Sequence, residues 1–322
     1  MYCCRRRAVF LEKKMDNKVL KIVETRLMQG FNKNGYAITS PKELMAFSLE
    51  KIKKRETEMM CLVYLDSKGC VIDFDICRTD VFEKNFKFFL TSAILKNSCS
   101  AAMISNITDQ DRAYELTNSF SNCMSMLGLR LIDHICCERS YSEAGMLPDT
   151  IRFRDQIDVE DGIASTWRPA VSLRTIDSHE LEDGADAVEI ACRQLVDSDR
   201  EKIVVMNFDE NDDPISYSVE GIGTLNTAYV APNVMYKASL LSRASSIIFI
   251  HNHPSGDSSP SSEDMEVFKR LYDSAHLLGF EMKDSIIVGS ITNERYSFKE
   301  SGDMDRMIKE TNRLANFRKG GR

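Results

Sequence analysis

What the chain lacks narrows it first. No apolar run approaches the ~20 residues that cross a bilayer, so no membrane span is expected. A basic excess is missing too: net charge is −7 over 322 residues, which argues against a surface built mainly for nucleic acid. The basic ends, Arg5–Arg7 and Arg318, Lys319 and Arg322, are short and read as solvated tails. The ten cysteines contain no CxxC pair. All but Cys192 precede residue 140, mostly among apolar neighbours, which suggests reduced core thiols of a cytoplasmic protein. The opening MYCCRRRAVFLEKKMDN is basic, but its apolar stretch is too short for a secretory signal, and Met15 is an alternative start.

What is present suits two α/β units. Hydrophobic residues make up 43% and charged residues 28%, enough to bury a core in each half. Residues 1–40 read as a segment with one amphipathic helix, Lys18–Gln29. In 41–144 a helix opens at Ser40-Pro41 and carries Leu44, Met45, Leu49 and Ile52 at helical spacing. A hairpin (Met59–Leu65, Cys70–Ile76), a helix (Phe82–Leu95), a strand (Ala101–Ile104), a helix (Tyr114–Leu127) and a strand (Leu129–Cys137) follow. Residues 145–174 are polar, hold two prolines and the only tryptophan, and read as a linker with Trp167 as an anchor. In 175–300 the order returns: helix His179–Leu195, hairpin Ile203–Phe208 and Ile215–Val219, helix Val234–Ser242, strand Ser246–Ile250, helix Asp264–Leu278 and strand Phe280–Val288. Residues 301–322 form a polar tail with one exposed helix.

The repeated order points to an internal duplication. MLGLRLIDHIC at Met126–Cys136 matches LLGFEMKDSII at Leu277–Ile287, and ETEMMCLVYLD matches DREKIVVMNFD. Laid over each other, the halves set His251 on Asn106, His253 on Thr108 and Asp264 on Ala113, with a shorter loop in the first copy.

The copies differ most in SIIFIHNHPSGDSSPSSED, starting at Ser246. Residues two apart on a strand point the same way, so His251 and His253 share a side at the strand end. Pro254 and Gly256 turn the chain, Ser261 reads as a helix N-cap, and Asp264 falls in the first turn. Two imidazoles and a carboxylate converging on one point, with a fourth position open, form the donor set of a catalytic zinc.

HNHPSGDSSPSSED fits H-x-H-P, six residues, S-x-x-D, and so resembles the JAMM/MPN metal-dependent hydrolases, most closely their RadC-like branch. IGTLN, the LLGF–D–II stretch and ERYSF resemble it as well. The resemblance implies tandem MPN-like (cytidine-deaminase-like) domains, each a mixed β-sheet flanked by helices, the first degenerate and the second active. It implies one Zn²⁺ on His251, His253 and Asp264, Glu201 as general acid/base, and Ser261 as oxyanion donor. Glu220 is the runner-up for Glu201, and a plain N-cap is the alternative role for Ser261. The implied reaction is hydrolysis of a peptide or isopeptide amide in a protein or peptide substrate. The alternative is a non-hydrolytic metal-binding module acting as a binding or DNA-associated protein. Pairing of the two domains, or a homodimer, is a further expectation. Two departures stand out: Ala231-Pro232-Asn233-Val234 replaces the branch's His-Pro-Arg-Glu, and Asp284-Ser285-Ile286 replaces the Asp-His-Ile kept at Asp133–Ile135.

Overall fold

A computed structural model describes residues 18–27, 37–52, 57–137, 139–141, 171–181, 184–222 and 231–309. The suggested start at Met15, the linker before residue 171 with Trp167, and the tail from residue 310 lie outside these. The chain runs β1 (Lys18–Leu27), α1 (Pro41–Ile52), β2 (Met59–Leu65), β3 (Val71–Arg78), α2 (Thr79–Lys84), α3 (Phe86–Leu95), β4 (Ser100–Ser105), α4 (Gln110–Met126), β5 (Arg130–Cys136) and β6 (Arg139–Ser140). It continues with β7 (Val171–Leu181), α5 (Gly184–Arg193), β8 (Lys202–Phe208), β9 (Pro214–Ile222), α6 (Pro232–Met235), α7 (Lys237–Ser242), β10 (Ser246–His253), α8 (Ser262–Leu278), β11 (Glu281–Gly289) and β12 (Arg295–Ser297). A short helix covers residues 303–309. No helix among the described residues is long and apolar enough to cross a membrane.

Two mixed sheets flanked by helices result, and the duplication is explicit in their strand orders. One sheet runs β3-β2-β4-β5-β6, and the other contains the same succession, β9-β8-β10-β11-β12. Even the irregularities repeat. The β4–β5 ladder shifts between Ala101 and Ala102, and β10–β11 shifts between Ile247 and Ile248. Asp133 accepts from the His134 amide and the Ser140 hydroxyl, which ties β5 to β6. Asp284 does the same with the Ser285 amide and the Ser297 hydroxyl, which ties β11 to β12. The aspartate of the Asp-His-Ile motif is thus a latch on the last strand of each unit.

Strand alternation sorts the core. Ile203, Val205, Ile247 and Phe249 face α8 and share one core with Met60, Leu62, Phe120 and Met124 of the first half. Val204, Met206, Ile248 and Ile250 face away from it, toward Ala187 and Ala191 of α5. The halves also meet through hydrogen bonds: the Ser274 hydroxyl donates to the Met126 carbonyl at 3.1 Å, and the Asn233 amide to the Leu127 carbonyl at 3.0 Å.

Two expected helices are corrected. Lys18–Leu27 is a strand, paired antiparallel with β7 and parallel with β9, so it joins the second half's sheet. Leu20 and Val23 are both buried while Lys21 is exposed, and the β1–β7 ladder shifts register between Ile22 and Val23; that irregularity breaks the two-residue alternation and leaves a three-residue apolar spacing that imitates a helix. His179–Leu181 likewise ends β7, and the helix starts only at Gly184.

His134 is fully buried between Ser105 and Thr117. The Thr117 hydroxyl donates to the Ala113 carbonyl, so it accepts from Nδ1–H, and Nε2 accepts from Ser105. Burial pushes the imidazole down to about 3 from its ordinary 6.5. The unfolded chain therefore binds a proton that the folded one refuses between those values, and stability falls as pH drops through that window. We expect His134→Gln to reduce the acid slope by up to about 1.4 kcal/mol per pH unit between pH 6 and 4, measured by urea unfolding.

Candidate metal centre

The β8–β10 ladder positions the site. It runs antiparallel from Ser246↔Phe208 to His251↔Ile203. Continued two residues, it sets Asn252 opposite Lys202 and His253 opposite Glu201. His251, His253 and Glu201 then share the face of Ile203 and Phe249, the face that α8 covers. The apolar packing of β10 under α8 therefore delivers both imidazoles to the helix start.

The helix start presents Asp264 in a defined pose. Ser261 is the N-cap: its hydroxyl accepts from the Asp264 amide at 3.1 Å, and Asp264 Oδ2 accepts from the Ser261 amide at 2.8 Å. The same Oδ2 accepts from the Ser261 hydroxyl at 2.6 Å. This reciprocal capping box engages one carboxylate oxygen and leaves Oδ1 for the histidine side.

The ligand-type atoms of His251, His253 and Asp264 lie within 4.8 Å of one another. His251 Nε2 is 3.2 Å from Asp264 Oδ1, and His253 Nε2 is 3.3 Å from Oδ2. Donors of a tetrahedral zinc, each ~2.0–2.1 Å from the ion, lie about 3.4 Å apart; the His251 Nε2–Asp264 Oδ1 spacing matches this, and the three donors as a set stand within 4.8 Å. Despite their proximity, His251 Nε2 and Asp264 Oδ1 are buried without a hydrogen-bond partner. Orphaned buried polar atoms of this kind call for a further partner, and a cation satisfies both. His253 Nδ1 donates to the Asp257 carbonyl at 2.8 Å in the tautomer that leaves the Nε2 lone pair for a ligand.

The electrostatics favour positive charge. Burial pushes the Asp264 carboxyl up, but the two imidazoles and Ser261 outweigh it and hold the group well below the usual carboxylate range. The bond to Asp264 raises the His253 imidazole against its burial. The centre opens into a cleft of about 410 Å³ lined by Glu201, His253, Pro254, Ser255, Ser261, Glu263 and Asp264. Every lining residue comes from the second half. Glu220 is not among them: it stands at the β8–β9 register shift, beside Ser218 and Lys237.

In the first half the ladder corrects the sequence alignment by one residue. Met60 pairs with Ser105 as Ile203 pairs with His251, and Ser105 pairs with Cys136 as His251 pairs with Ile287. Ser105 therefore stands at the place of His251, Asn106 at that of Asn252, and Ile107 at that of His253. Glu58, the counterpart of Glu201, is ion-paired to Arg112 at 2.6 Å, and Arg112 also reaches Glu83. A guanidinium supplies the positive charge there. Sequence comparison alone missed Asn252 and Asn106, although the Asn shared by both strand ends was visible once they were shifted.

Residues 181–303 match the family model of the RadC-like JAB domain. Similar curated proteins carry the name UPF0758 protein. One from Clostridium acetobutylicum is 34% identical over 131 residues, covering 41% of this chain and 56% of the relative. One from Caldanaerobacter subterraneus is 37% identical over 120 residues, 37% of this chain and 51% of the relative. One from Finegoldia magna is 38% identical over 121 residues, 37% of this chain and 54% of the relative. The chain thus spans about half the length of the curated relatives it matches.

Adding zinc to chelator-treated protein is expected to raise its unfolding midpoint, corresponding to about 2.7 kcal/mol at a free-metal concentration 100-fold above Kd. The His251→Ala, His253→Ala variant is expected to show no shift and to hold no stoichiometric metal by mass spectrometry. An undiminished response in that variant would place the metal elsewhere.

Proposed function

We propose that the RadC-like JAB domain formed by residues 181–303 of this chain is a zinc-dependent hydrolase of peptide or isopeptide amide bonds. The observation that carries this reading is the pair of orphaned buried atoms, His251 Nε2 and Asp264 Oδ1, facing one point beside a cleft that holds a carboxylate. His251, His253 and Asp264 hold the ion, and the cleft side is left for water and substrate.

Bound zinc supplies a Lewis acid that acidifies a water and polarises a carbonyl. Glu201 takes a proton from the attacking water on a carboxylate oxygen and returns it to the leaving nitrogen. Its place opposite His253 puts that carboxylate on the ligand face. The Ser261 hydroxyl accepts from the Asp264 amide as the N-cap and donates its hydrogen to Asp264 Oδ2. To stabilise a substrate oxyanion the same hydrogen turns from Oδ2 into the cleft, where Ser261 is exposed.

The substrate class that goes with this reading is a protein or peptide, whose amide carbonyl is the group a bound zinc would polarise. The scattered thiols of the described residues suit a reducing compartment, and we place the protein in the cytoplasm.

Glu201→Gln keeps the side chain's size and removes the base. It is expected to retain one zinc per chain while lowering amide cleavage in a fluorogenic peptide library by about 10²–10⁴-fold. Zinc-loaded wild-type protein that cleaves no library member, with or without isopeptide-linked substrates, would overturn the hydrolase reading.

A further inference from the structure

We propose that Asn252, the residue between the two histidines, is a positioning residue that fixes Glu201. The inference rests on the role of Glu201 proposed above. Asn252 points to the opposite face of β10 from the histidines and is fully buried. Its side-chain oxygen accepts from the Lys202 amide at 2.8 Å, and its nitrogen donates to the Arg200 carbonyl at 3.0 Å. One amide group therefore grips the backbone on both sides of Glu201, just where the β8–β10 ladder has stopped making its own bonds.

The grip is itself supported. Asn252 Nδ2 also donates to the Ser290 hydroxyl at 2.7 Å. Ser290 Oγ donates to the Leu195 carbonyl, the Ser290 carbonyl accepts from the Asp197 amide, and the Ser290 amide donates to the His253 carbonyl. Ser290 thus joins the segment leading to Glu201 to the strand end that carries His253. Every polar atom of Asn252 is engaged, so the side chain has one pose and transmits it.

The first half repeats the device. Asn106 Oδ1 accepts from the Met59 amide and Nδ2 donates to the Thr57 carbonyl, on either side of Glu58. No histidine stands beside Asn106, so the clamp forms without metal ligands. In the second half it therefore sets Glu201 before any metal arrives. Asn106 also provides an internal control, because the same substitution there removes the same backbone clamp, at a half-buried position, with no bearing on the site.

The test compares full-length Asn252→Ala and Asn106→Ala by three readouts. The first is amide hydrogen exchange at Lys202. The second is the ¹³C carboxyl resonance of Glu201, assigned with Glu201→Gln. The third is the visible spectrum of the Co²⁺-substituted protein. Asn252→Ala is expected to speed Lys202 exchange at least about 10-fold and to shift or broaden the Glu201 resonance, with the Co²⁺ spectrum retained. Asn106→Ala is expected to leave all three unchanged. Where hydrolysis is measurable, Asn252→Ala lowers kcat by about 10–100-fold with KM held, as loss of an orienting partner does. If Asn252→Ala does not fold, Ser290→Ala removes only the outer support and is expected to give the same shifts at smaller amplitude. A Glu201 resonance unchanged in folded Asn252→Ala, or moved equally by Asn106→Ala, would overturn the proposal. Absence of any hydrolysis by wild type would count against the hydrolase alone, since the resonance and exchange readouts stand without it.

Discussion

The antiparallel register of β8 on β10 is the constraint on which the site depends. Side chains on paired strands alternate, so a single-residue slip of β8 along β10 would turn Glu201 to the face of α5, away from His251 and His253. The register is held by burial on both faces. Val204, Met206, Ile248 and Ile250 fill one core and Ile203, Val205, Ile247 and Phe249 the other. Polar residues then appear only at the strand ends, where the ladder runs out and the cleft begins. The donor set is thus an extension of the packed strands β8 and β10.

The carboxylate arrives by a different route. Asp264 is nearly buried, and an ionised buried group needs compensation. Its capping box supplies two donors from Ser261, and its position in the first turn of α8 places it at the positive end of the helix. These contacts occupy Oδ2 and leave Oδ1 aimed at His251. An ordinary helix-capping device therefore serves as an orienting shell, and Ser261 has a structural task whatever it does in turnover.

The donor triad was legible in the chain because each member sits on a strong local signal: a β-branched run for His251 and His253, a Ser-x-x-Asp cap for Asp264. The repeat was legible from LLGFEMKDSII against MLGLRLIDHIC, and the matched strand orders carry it into three dimensions. Less legible was anything decided by long-range pairing. Lys18–Leu27 is drawn into a sheet by β7, more than a hundred residues away in sequence, and its apolar spacing gives no hint of that partner. The strand-end alignment was off by one because loops of unequal length gave no fixed point, whereas the ladder counts residues directly. The Asn252 clamp was hidden for the same reason: its partners, Arg200 and Lys202, are adjacent only across the sheet.

The two halves together bear on what the donor set is for. The first half builds the same strand order, the same ladder shift, the same Asp–Ser latch and the same asparagine clamp around Glu58. It does so with Ser105, Ile107 and Ala113 where the second half has its donors. Structural zinc is a folding requirement in domains too small to bury a core, and such domains do not fold when the ligands are lost. Here the scaffold stands without them, its glutamate balanced by Arg112 rather than by a metal. The strand order that the two halves share is therefore built in the first half without such a donor set. Two buried histidines and a buried carboxylate carry a desolvation cost that the sister copy avoids; Ser261 and the Asp264–imidazole contacts offset part of it, and a cation between the donors would satisfy the two atoms left without a partner. That balance fits a centre retained for what it does at the cleft.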